Sequence, residues 1–513
     1  MRHKNKIGYL SSLLIITAGV SMAQPADPPS RVARLNYLNG QVSFRPGTVE
    51  DWAAASLNYP LTTGDHLWTD AGAQTEMHVG STAIRMAPET ALAFLNLDDR
   101  IVQLSLTGGS LNVHIRSLRP DEVFEVDTPN AAVSLRPGDY RITVDGDRNA
   151  TFVTANAGQA DIAGGGAGFP VYARQMAHIT GAETLSQEIA PVPPPDAFDT
   201  WCRERDRREE SMVSARYVPR DMIGYEDLDA YGVWREVPPY GWVWTPRSVA
   251  AGWAPYHDGH WAWVEPWGWT WIDDAPWGFA PFHYGRWAFA AGAWVWVPGR
   301  LDPNMRPVYA PALVAFVGVG GAGMSAWFPL GPGEVYRPAY PVSEVYVRQI
   351  NIVHVTDVTA IDRVNVVNVR YANQAVPGAV VAVPHDAFVG ARPVAAAAVR
   401  VDAREVAAAP VMGMTASVAP RRESVLAGPV RTSAPPARFA ERKVVMKSTP
   451  APPPVSFAAK QRALEAPARN DRPPVRTEEV HRPEPVAAKA VEERKGEAPK
   501  NEKKPVNKKA TRK

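Results

Sequence analysis

Twelve of the seventeen tryptophans fall within residues 241–296, and they recur in register. Gly241-Trp242-Val243-Trp244 leads into Gly252-Trp253-Ala254-Pro255-Tyr256-His257-Asp258-Gly259-His260-Trp261-Ala262-Trp263. About 26 residues on, Gly268-Trp269-Thr270-Trp271 leads into Gly278-Phe279-Ala280-Pro281-Phe282-His283-Tyr284-Gly285-Arg286-Trp287-Ala288-Phe289. Gly292 to Trp296 with Tyr309-Ala310-Pro311 forms a third, degenerate copy. Side chains two apart on a strand share a face, so Trp-x-Trp sets two indoles on one side of a sheet. Glycine before each pair and proline after each turn limit the strands to a few residues. Each indole can bury about 150–250 Å². The stretch therefore reads as short strands held together by aromatic packing.

Most of these tryptophans read as core, because a repeated aromatic usually supports the repeat itself. Polar or acidic neighbours make Trp244, Trp263 and Trp271 the candidates for a binding face that stacks on sugar rings or peptides. His257, Asp258, His260, Asp273, Asp274 and His283 offer metal-ligand chemistry, but no complete ligand spacing. Asp273-Asp274 and Glu265 are carboxylates for a glycosidase reading, yet adjacent carboxylates in a turn do not flank a substrate. No metal or other cofactor is expected.

Upstream, apolar and polar residues alternate in Gln41–Phe44, Glu76–Val79 and Val102–Leu106, as in half-buried strands. Gly108-Gly109 reads as a hairpin turn into Leu111–Ile115. Further strands over Glu122–Asp127, Ala132–Leu135, Tyr140–Val144 and Thr151–Ala155 are broken by turn chemistry such as Arg136-Pro137-Gly138-Asp139. The fold class is all-β.

Leu61-Thr62-Thr63-Gly64-Asp65-His66-Leu67-Trp68-Thr69, Gly80–Met86, Leu106–Leu111, Val126–Val133 and Gly138–Ile142 together resemble a FecR domain. Such proteins are periplasmic sensors that relay a signal to a cytoplasmic sigma factor. That role needs a cytoplasmic anti-sigma segment and a membrane helix, and this sequence has a signal-like segment in their place. Trp201–Arg208, Gly224–Asp229, Gly259–Arg286 and Trp327–Tyr336 are similar to an uncharacterised Trp-rich family of exported bacterial proteins. That resemblance implies an architecture and no chemistry.

The expected organisation has a signal peptide at 1–23, a FecR-like β domain at 31–185 and a Pro-rich linker at 186–195. A Trp-rich repeat domain at 196–385 follows, and a disordered basic tail at 400–513. The basic Arg2-His3-Lys4, the apolar Ile7–Val20 and the small residues around Ala23 fit export. The chain is thus expected in the periplasm or outside the cell, with no transmembrane segment after cleavage. Residues 431–513 carry 21 Lys and Arg against 10 Asp and Glu, so the body is net acidic. Asp196–Ser214 reads as a short exposed helix, and Val345–Val353 and Val364–Val369 as strands.

Cys202 is the single cysteine, which rules out an intramolecular disulfide. No nucleophile elbow, Walker loop or zinc-protease motif is present, and mixed charge argues against nucleic acid. The sequence points to a non-catalytic envelope protein whose partner is cell-wall glycan, an anionic envelope polymer or another envelope protein. The alternatives are a FecR-like signalling accessory without the anti-sigma segment, and a cell-wall hydrolase.

Overall fold

The computed structural model describes residues 26–465, except 301, 303, 304, 320, 322, 431, 432 and 441, and gives side chains as far as residue 462. The signal segment lies outside the described residues. The chain is β-rich, as expected from the alternation. Among the described residues, no helix is long and apolar enough to cross a membrane.

Two sheets build the first module and share one long strand, Ile101–Ile115. Its first half pairs with Ala91–Leu97 and, in parallel, with Val123–Asp127. Its second half pairs with Thr82–Met86 and Gly138–Asp145. Gly108-Gly109 therefore lies inside a strand and does not make the expected hairpin. The register shifts here, opposite Ala91 and Leu92. A Cβ on Gly109, whose φ is +88°, would sit 2.4 Å from Thr90 Oγ1. Glycine inside a strand marks a bulge or a close approach of another group, and both occur here. Leu67, Leu104, Val113, Val126 and Ile142 point between the sheets into the core.

Ser186–Pro191, expected within a stiff linker, is the outer strand of one sheet and pairs with Gln175–Thr180. Asp196 then starts the helix Ala197–Glu210 through a capping box with Asp199. The expectation of an exposed helix needs correction, since Phe198, Cys202, Asp206 and Glu209 are buried. The acids are buried because each meets a partner on the first module. Asp206 lies 2.7 Å from Arg85 and Glu209 3.5 Å from Arg116.

Three Trp-rich hairpins follow, Gly232–Val237 with Gly241–Pro246, Gly259–Val264 with Gly268–Asp273, and Arg286–Ala290 with Ala293–Val297. The second and third join the closing strand of one repeat to the opening strand of the next. Their indoles face one another directly across the strands: Trp261 opposite Trp271, Trp263 opposite Trp269, and Trp287 opposite Trp296. Such cross-strand aromatic pairs stabilise a hairpin. Val314–Val317 and Met324–Pro329 pair antiparallel.

Glu344–Asn351, expected as a strand, is a helix capped by the Ser343 hydroxyl. Tyr346, Val347 and Ile350 bury one helical face, a spacing that also contains a misleading strand-like alternation. Val364–Val369 likewise gives only a short 3₁₀ turn at Val366–Asn368.

The segment expected to be a disordered tail from residue 400 packs on the body as far as it is described. Val411–Gly413 pairs with Val314–Val317, and Phe439 and Phe457 are buried. Residues 466–513 lie outside the described residues.

The modules are tied by a buried ionic network. Glu76 accepts from Arg85 Nε at 2.5 Å and from Arg205 Nε and Nη2 at 2.6 and 2.7 Å. Arg34 reaches Glu226 at 2.9 Å and Asp227 at 2.7 Å, and donates to Asn58. Asn58 in turn donates to the carbonyls of Asp273 and Ala275. His78 lies 3.2 Å from Glu76 and 3.6 Å from Glu226.

Burial disfavours the charged imidazole of His78, but Glu226 and the hydrogen bond to Glu76 outweigh it and hold the pKa up at about 9. A folded-state pKa above the ordinary 6.5 means that the folded protein holds this proton more tightly than the unfolded chain does. The stabilisation is complete below pH 6.5 and is lost as pH rises through about 9. The melting-temperature advantage of the native chain over His78→Gln should therefore shrink between these values. A gap that stays constant with pH would contradict the charged-histidine assignment.

Candidate binding cleft

The turn Glu265-Pro266-Trp267 ends the central Trp hairpin and leans on the first module. Together they wall a cleft of about 390 Å³. Tyr59, Thr62, Asp65 and Leu97 line one side, Trp263 and Trp267 the other, and Pro452 and Pro454 close the rim. The volume lies within the range of small-ligand clefts.

Trp263 is placed by its hairpin. Its ring lies over Gly268, where an added Cβ would be 3.1 Å from the indole, and its Nε1 donates to Glu265 at 2.9 Å. Glu265 also accepts from Lys460 at 2.8 Å. Opposite, Asp65 is buried and accepts from the backbone of Gly47 at 2.9 Å and of Thr62 at 2.7 Å. Burial raises its carboxyl to about 7 against those donors. Asp65 locks a turn, and the aromatic rings supply contact area.

Of the three tryptophans nominated from sequence, only half-buried Trp263 lines this cleft. Trp244 and Trp271 are fully buried and cannot present a face to a ligand, which corrects that expectation. Trp244 donates to the Leu228 carbonyl at 2.9 Å and Trp271 to Asp273 at 3.0 Å. Asp273, whose pKa burial lifts far above the carboxylate range, also accepts from Ala275 N, so it braces a turn. Sequence reasoning missed Trp267 and Tyr59. The Glu265-Pro266-Trp267 turn signal, set beside the Gly64-Asp65 motif, contained the information without the proximity.

His283 is enclosed, its Nδ1 2.8 Å from the Ala310 carbonyl, and burial lowers it to about 3. His257 pairs with its neighbour Asp258 at 2.9 Å. The repeat histidines thus stabilise turns. His114, Asp139 and Asp206 bring ligand atoms within 4.8 Å of one another. Arg85 already neutralises Asp206, and Asn112 donates to Asp139 at 2.9 Å, so we assign no metal there. Cys202 is buried, which pushes its thiol up to about 12 and leaves it without nucleophilic character at neutral pH.

Residues 65–161 match the family model described as FecR protein, and residues 225–334 match DUF6600, a family of unknown function. No curated protein matches the chain. Among solved structures, two crystal structures of a candidate anti-sigma factor from Parabacteroides distasonis match at 13% and 12% identity, each with a TM-score of 0.23. Each match covers 27% of this chain and 64% of the solved one.

Proposed function

We propose that this chain, a FecR domain followed by a DUF6600 domain, is a non-catalytic exported envelope protein that grips a partner envelope protein in the cleft between the two. The observation that carries this reading is the lining: half-buried Trp263, backed by the largely buried rings of Trp267 and Tyr59, faces a cleft whose rim is the chain's own Pro452 and Pro454. Aromatic-lined grooves suit extended proline-containing segments, which lose little entropy on binding. The carboxylates beside the rings hold a turn or an indole, as Asp65 and Glu265 do, which supports binding over hydrolysis. Export rests on the N-terminal pattern of basic, apolar and small residues. The FecR match favours a signalling accessory as the setting in which such a partner is held.

The purified chain should be retained on immobilised envelope proteins and not on purified cell wall. Trp263→Ala should weaken that retention by about tenfold with little change in melting temperature, as for an aromatic anchor at an interface. Retention on wall glycan instead, or unaltered retention of the variant, would contradict the reading.

A further inference from the structure

One sheet of the first module has an outer face, pointing away from its core, on which a later segment of the chain lies. Leu67, Leu104 and Val126 enter the core, so their neighbours Trp68, Gln103, Ser105 and Glu125 face the other way. The chain's own residues 433–440 and 442–457 cross this face. Phe439 is the central anchor: its ring lies 5.9 Å from that of Trp68. It sits so close to the strand that a Cβ on Gly108 would fall 2.4 Å from it. Gly108 is therefore the floor of an aromatic slot. Farther along, Glu125 accepts from the backbone of Lys447 and Ser448 at 3.0 and 2.9 Å, and from the Ser448 hydroxyl at 2.7 Å. The Pro454 ring packs on Gly64.

The seat is specific, and the hold is a series of separate anchors without a continuous ladder among the described residues. Val430 bridges Ala53 and Val445 bridges Thr128. Single backbone bonds run from Ala451 N to the Leu95 carbonyl at 3.2 Å and from Phe457 N to the Thr48 carbonyl at 2.8 Å, and the Ser433 hydroxyl donates to Asp70. A cleft of about 380 Å³ lined by Trp52, His66, Thr107, Pro435 and Arg442 remains under the strap. Val430, Met446 and Val455 stay exposed. An element that made the fold would bury these residues and fill that space.

We propose that this sheet face is a peptide-binding groove which the described residues of this segment occupy as an internal stand-in. Its occupant from another protein is an extended, proline-flanked segment with one aromatic side chain for the Gly108 slot and a serine for Glu125. Binding then requires release of the strap. The strap's far end touches the junction cleft, but the anchor tested below lies on the sheet face, so failure here leaves the reading of that cleft standing.

The probe is a fluorescent synthetic peptide of residues 433–457, added to the full chain. The internal copy competes, so Phe439→Ala in the chain should strengthen peptide binding by at least about tenfold, and Phe439→Ala in the peptide should weaken it as much. Thr128→Cys combined with Val445→Cys supplies a lock at a paired position that leaves Glu125 and the Gly108 slot intact, and the native thiol of Cys202 is buried. Oxidised, the double variant should refuse the peptide; reduced, it should accept it. Refusal by both the reduced double variant and Phe439→Ala would overturn the proposal. Equal binding by the oxidised and reduced forms would do so too.

Discussion

Trp261→Ala should cost on the order of 3–5 kcal/mol of stability, read as a fall in denaturation midpoint, because it empties the centre of the aromatic core. Its ring lies 5.6 Å from Trp271, 5.4 Å from Phe316, and 5.3 Å from both Trp327 and Phe388. These neighbours come from four separate segments, so no single rotamer change can close the gap. Trp287 holds the equivalent position of the next repeat, is equally buried, and contacts Trp253 and Phe282. Its alanine variant should lose a similar amount. Losses below about 1 kcal/mol would place these rings at a surface that tolerates truncation.

Glu76→Ala is the second large effect, about 3–5 kcal/mol, since it removes one side of a buried charge cluster and strands the other. Arg85, Arg205 and His78 all converge on that carboxylate. Burial opposes its charge, but Arg85, followed by His78 and Arg205, holds it well below the usual carboxylate range. Arg205 comes from the helix Ala197–Glu210, so the variant should also release that helix from the sheet. Hydrogen exchange over residues 197–210 should quicken with the loss of global stability. Unchanged protection there would show that the Asp206–Arg85 and Glu209–Arg116 pairs, with buried Phe198 and Cys202, secure the helix without Glu76.

The parts of the fold that were legible in sequence are those where one local pattern decides the structure. Alternation gave the strands of the first module, and the Gly-Trp-x-Trp register gave the hairpins. Errors arose where a distant partner changes the meaning of a residue. Asp273 beside Trp271 suggested a polar, accessible neighbourhood; in the structure it is buried because the indole donates to it. The same residue pairing at Trp263 and Glu265 falls on a turn and does face a cleft. Gly108-Gly109 resembles a turn because the groups that require the glycines, Phe439 and Thr90, are remote in sequence or out of register. The strap escaped notice since isolated anchors leave no period to read.

The proposed grip on a protein partner runs through Trp263 in the junction cleft, whereas buried Trp244 and Trp271 are structural. A photoreactive amino acid placed at position 263 of the full chain in living cells tests this directly. Trp242, which is 48% exposed on another hairpin, serves as the control position. Position 263 should yield a discrete adduct with an envelope protein, and position 242 should not. Equal adducts at both positions, or an adduct at 263 with glycan alone, would contradict it.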